Sequence, residues 1–91
     1  MEIIINKNSL PFRIYVTPFY FDNQPVNEIH FLVELHGGEA FCCKRQTIDK
    51  SWQVTLSGSY PADLQEITYE AIGHANPKVL LRELVHVDEL W

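Results

Sequence analysis

Four residues in one ten-residue stretch, His30, Glu34, His36 and Glu39, are of the types that bind metals or carry protons. On an extended chain Glu34 and His36 share a side and stand about 6.8 Å apart. A tight reversal at Gly37-Gly38 would bring Glu39 opposite His36. Zinc accepts carboxylate and imidazole ligands at about 2.0–2.2 Å, so Glu34, His36 and Glu39 are candidate metal ligands. His30, about 13 Å from Glu34 along the strand, falls outside that group. Alternating Glu and His near a turn is also how a solvated strand end reads, so no metal or cofactor is assigned.

Thiol chemistry would have to use Cys43, which needs a base and a positive field beside it. His30, one strand over, and Arg45 could supply them, but no orienting third group or oxyanion site accompanies them. A cysteine on a strand ordinarily behaves as a small hydrophobe. Lys44, Arg45 and Lys50 with Trp52 could stack and neutralise a single strand of nucleic acid. Lys44 and Arg45 point to opposite faces, however, and the net charge of −5 lacks the counterion-release drive of nucleic-acid binders. His74 and His86 are read as structural or solvent-facing. There is no Gly-rich phosphate loop, G-x-S-x-G, C-x-x-C or H-E-x-x-H. The chain therefore reads as a non-enzyme.

The element that must position these residues runs from Glu28 to Thr47. It reads as two antiparallel strands joined at Gly37-Gly38, a dipeptide suited to the positive φ of a two-residue type I′ turn. If the glycines are the whole loop, opposing residue numbers sum to 75: Val33 faces Cys42, Leu32 faces Cys43 and His30 faces Arg45. Side chains alternate across a strand, so Ile29, Phe31, Val33, Leu35, Ala40 and Cys42 form a core face. The other face then carries His30, Leu32, Phe41, Cys43 and Arg45 beside Glu34, His36 and Glu39. With Arg13, Tyr15 and Phe19 from the preceding strand, it becomes the expected interaction face.

Around that hairpin, Glu2–Asn6 reads as a short strand and Lys7-Asn8-Ser9 as a turn. Phe12, Ile14 and Val16 alternate with Arg13, Tyr15 and Thr17 in a second strand, which Pro18 should end, bulge or place at an edge. Residues 22–27 are loop by composition. Trp52, Val54 and Leu56 share one side of a fifth strand. Beyond Tyr60 the period changes: Leu64, Ile67, Ala71 and Ile72 form a helical stripe that Gly73 should stop. Asn76-Pro77 opens a second helix expected to end near Glu89, with Leu80, Leu84, Val87 and Trp91 along its apolar side. The β-branched run at 84–87 leaves a sixth strand as the alternative. The expectation is a single α+β domain over 1–91: a five-stranded antiparallel meander within 1–58 and two helices within 60–91 on one face.

Ninety-one residues, 46% hydrophobic and 21% charged, suffice for one core. The acidity is uneven: residues 1–58 have net charge −1 and residues 59–91 net −4, which suits a basic partner met by the helical side. The cysteines Cys42 and Cys43 are adjacent and have no other pairing candidate. With no signal-like N-terminal run and no apolar stretch of membrane length, they point to a reducing, cytoplasmic setting. The functional expectation is an interaction protein, a homodimer or the ligand of an unknown protein partner. Inhibitor-, antitoxin- and immunity-like factors share this size and charge. The alternative is a ligand- or single-strand-binding module using Arg13, Tyr15, Phe41 and Arg45.

Overall fold

The computed structural model of the chain describes residues 1–88. Five strands, β1 (Glu2–Lys7), β2 (Leu10–Phe21), β3 (Glu28–Leu35), β4 (Ala40–Gln46) and β5 (Trp52–Leu56), form an antiparallel meander in chain order. A 3₁₀ turn (Ala62–Leu64) leads into α1 (Gln65–His74), and α2 (Pro77–Arg82) follows. Both helices pack on one sheet face: Leu64, Ile72 and Leu80 are buried with Ile5, Ile14, Val16, Phe31, Val33, Phe41 and Cys43 in a single core. This is the α+β arrangement the hydrophobic periods predict. Asn76 caps α2, its side chain accepting from the Lys78 amide at 3.0 Å. Gly73, expected as a stop, lies inside α1, and the helix ends at the extended Ala75.

The hairpin β3–β4 departs from the expected register by one residue. Its partners sum to 74, so Val33 faces Phe41, Leu32 faces Cys42 and His30 faces Lys44. The reason lies in the loop. The Gly38 amide donates to the Leu35 carbonyl at 3.2 Å, a turn over residues 35–38, and the Leu35 amide donates to the Glu39 carbonyl at 2.7 Å. Reversal therefore starts one residue earlier, after Leu35. His36 joins Gly37 (φ +118) and Gly38 (φ +106) in a three-residue loop, its amide donating to the Arg13 carbonyl at 3.3 Å just past the last β2–β3 pair. The two-residue turn with both central residues at positive φ is found instead at Asn8 and Ser9 (φ 51 and 65), between the paired Lys7 and Leu10.

Pro18 neither ends nor bends β2. Val16 exchanges backbone hydrogen bonds with Met1, so its polar groups point to the β1 edge. By alternation Pro18, two residues on, turns its missing N–H the same way, just beyond Met1, where β1 supplies no partner. Past that point a sixth strand, β6 (Val85–Val87), pairs in parallel with Phe19–Phe21. The expected second helix thus stops at Arg82 rather than near Glu89. Val85 and Val87 extend to fill the edge that β1 leaves open. Leu84 is exposed, and Glu89 and Trp91 lie outside the described residues.

Candidate functional site: the helix-free face of the sheet

Odd-numbered residues of β2 and even-numbered residues of β3 and β4 face away from the helices. The one-residue register difference divides the expected interaction face. Arg13, Tyr15, His30 and Leu32 stand on the helix-free side. Phe41, Cys43 and Arg45 turn toward the helices, because each is paired with Val33, Phe31 or Ile29 on the core side of β3. Phe41 is 2% exposed and packs against Tyr60 at 4.5 Å. Arg45 lies over the Trp52 ring at 5.4 Å, and its Nε is enclosed without a hydrogen-bond partner among the described residues.

The face has three parts. At one end Glu28 draws a polar network together: its carboxylate accepts from Lys44 at 2.9 Å, from Gln46 at 3.0 Å and from His30 Nε2 at 3.1 Å. Lys44 and Gln46 hold the Glu28 carboxyl below its usual range by donating to the ionised form. His30, 6% exposed, lies between Phe19 and Phe21 at ring distances of 5.5 and 5.0 Å. Burial pushes its pKa down, against the opposing pull of Glu28. The 22–27 loop supports this end through Gln24, which bonds the Phe21 amide and the Glu28 carbonyl. It does not fold across the centre, and Val26 stands 96% exposed.

The centre is an apolar cavity of about 150 Å³ lined by Thr17, Phe19, Leu32, Cys42, Val85 and Val87. Of these, Thr17 and Phe19 follow from strand parity. Cys42 required the correct register, and the two valines required β6. The far end is charged. Glu2, Arg13 and Glu34 surround the half-exposed Tyr15 in a cleft of about 340 Å³ that reaches the Gly37-Gly38 turn. Neither Arg13, Glu2 nor Glu34 forms an ion pair among the described residues.

The candidate metal ligands Glu34, His36 and Glu39 are not gathered. Glu34 is on the helix-free side, His36 is held beside Arg13, and Glu39 opposes Leu35. Among the described residues no three His, Cys, Asp or Glu side chains are placed to share an ion. Cys43 and His30 occupy opposite faces, so the thiol–imidazole pair does not form. Burial raises both thiols, Cys43 to about 12. Arg13, Tyr15, Phe41 and Arg45, the set suggested for nucleic-acid or ligand binding, are likewise divided between faces. On the helix side, Trp52 and Tyr69 stack at 4.7 Å beside Arg45, Glu66 and Glu70 in a cleft of about 470 Å³.

Comparison of the chain with protein-family models, with curated proteins and with solved structures gives no match to any of them. No helix among the described residues is long and apolar enough to cross a membrane.

Proposed function

We propose that this is a non-enzymatic protein that acts by binding another protein through the helix-free face of its sheet. The observation that carries the reading is the apolar cavity among Thr17, Phe19, Leu32, Cys42, Val85 and Val87, open on a face that no helix covers. An apolar cavity of about 150 Å³ has room for a benzene-sized group, so one aliphatic or aromatic side chain of a partner fits it. Binding energy at protein interfaces concentrates in a few anchor side chains seated in such pockets. Beside the cavity, Glu2 and Glu34 outnumber Arg13, which suits a partner that brings a basic residue next to its apolar anchor. An inhibitor-, antitoxin- or immunity-like role fits this reading.

The test is site-directed photo-crosslinking in the native cell from Tyr15, on the same face two residues before the cavity-lining Thr17, and from Glu66 on the helical side. A discrete protein adduct from position 15 that Leu32→Glu abolishes supports the reading. No adduct at position 15, or the same adducts from both positions, overturns it.

A further inference from the structure

Among the described residues β5 is an edge strand, paired with β4 alone. Its sequence, Trp52-Gln53-Val54-Thr55-Leu56, holds no charge, proline or glycine, the features that ordinarily protect an edge from pairing with another chain. β1, at the opposite side of the sheet, has Glu2 and Lys7 at its two ends, and β6 is three residues long.

The hydrogen-bond pattern states which groups on this edge are free. Gln46 donates to the Ser51 carbonyl at 2.9 Å, making 46 and 51 a hydrogen-bonded pair. Alternation along an antiparallel ladder makes Arg45/Trp52 non-bonded, Lys44/Gln53 bonded and Cys43/Val54 non-bonded. The other side of β4 agrees, because the Leu35–Glu39 bond directs residues 41, 43 and 45 to β3. Trp52 and Val54 therefore turn their N–H and C=O groups away from β4 into open space. The irregularity opposite Cys42 and Cys43 ends the regular edge there, and Leu56, opposite Cys42, is directed back to β4.

We propose that β5 pairs antiparallel with β5 of a second copy, about a two-fold axis at Gln53. In this register Trp52 of each copy lies opposite Val54 of the other, and their four free polar pairs close four backbone hydrogen bonds. The neighbouring register, centred on Val54, sets Trp52 against Leu56, whose polar groups are already used by β4, and closes only two. The chosen register also places Trp52 beside the second copy's valine on the helix side, an aromatic–β-branched pairing. On the other side the two Gln53 amides meet. The result is a continuous antiparallel sheet of ten meander strands with all helices on one side. The seam is short, so the dimer is concentration-dependent.

The experiment is light scattering across a concentration series, combined with cysteine crosslinking. Residues 53 of the two copies form a non-hydrogen-bonded pair at about 4.5 Å between Cα atoms, within disulfide range. Gln53→Cys should thus form a disulfide dimer under mild oxidation far faster than Thr55→Cys, which meets Ser51 of the second copy. Gln53→Lys sets like charges face to face and should abolish the dimer while leaving the melting curve of the monomer unchanged. Val54→Pro removes an outward N–H and should also abolish the dimer, with some loss of monomer stability because Val54 packs against the core. A wild-type monomer at every concentration, equal crosslinking at positions 53 and 55, or a dimer that survives Gln53→Lys overturns the proposal.

Discussion

Thr68 offers a sharp test of how the core is wired. It is fully buried on α1, and its hydroxyl lies 2.7 Å from both the Leu64 carbonyl and the Tyr60 hydroxyl. Threonine has one hydroxyl proton. A carbonyl can only accept, so that proton goes to Leu64 and Tyr60 must donate to Thr68. The two hydroxyls are thus not equivalent. Thr68→Val keeps the side-chain shape but strands the Tyr60 donor in a site where that residue is 6% exposed. Leaving a buried group unsatisfied costs about 1–3 kcal/mol. Tyr60→Phe removes the donor itself and leaves Thr68 bonded to Leu64, at about 0.5–1.5 kcal/mol. The double variant has no stranded donor, so its cost should fall below the sum by about 1 kcal/mol. Urea unfolding followed by tryptophan fluorescence measures all three; a domain this size loses roughly 4–8 °C of Tm per kcal/mol. If Tyr60→Phe costs as much as Thr68→Val and the two are additive, Tyr60 is not the donor and the reasoning fails.

Acidification should weaken the fold in two steps. Both His30 and Glu28 have pKa values below their ordinary ones, so the unfolded chain binds more protons. Stability is complete above the free histidine range and falls as pH drops through the folded His30 pKa, then again through that of Glu28; His30→Gln should remove the first step from urea midpoints measured between pH 8 and 5. Leu32→Glu should leave the circular dichroism spectrum and melting curve near wild type, whereas Phe41→Glu should abolish folding, because the observed register buries the second against Tyr60; the reverse ranking would restore the two-glycine turn. Gly58→Ala should destabilise more than Gly73→Ala in thermal melts, since a Cβ at 58 would stand 2.7 Å from the Ala40 carbonyl oxygen and one at 73 meets open space.

The period of the hydrophobic pattern made much of this fold legible. A short β-rich run identifies β1, alternation identifies β2 and β5, and the Leu64–Ile67–Ile72 stripe identifies α1, because each is a pattern within a single element. What escaped reading depends on contacts between elements. The turn at Gly37-Gly38 takes in His36, because the β3–β4 ladder closes at Leu35 and Glu39. β6, legible only as the alternative strand at 84–87, is three residues long and exists because Pro18 and the end of β1 vacate an edge. Gly73 takes no left-handed conformation and so does not terminate its helix. The site was legible only where strand parity sufficed, at Arg13, Tyr15, Thr17, Phe19, His30 and Leu32.

That single step of register changes what the helix-free face can bind. With partners summing to 75 it would have carried Phe41 and Arg45 beside Tyr15 and Arg13, an aromatic and basic platform of the kind that stacks bases and neutralises phosphates. With partners summing to 74, Phe41 and Arg45 belong to the helices, and Cys42 and Lys44 replace them. Lys44 is bound to Glu28, so its charge is matched within the face, and Cys42 contributes only apolar surface to the cavity. Arg13 then remains as one cation between Glu2 and Glu34. Such a surface offers nothing periodic to a phosphate backbone; it has an apolar slot the size of one side chain and a carboxylate rim. These features underlie the proposal of a protein ligand rather than a nucleic acid, and the three-residue loop at 36–38, by fixing the register, is what arranges them.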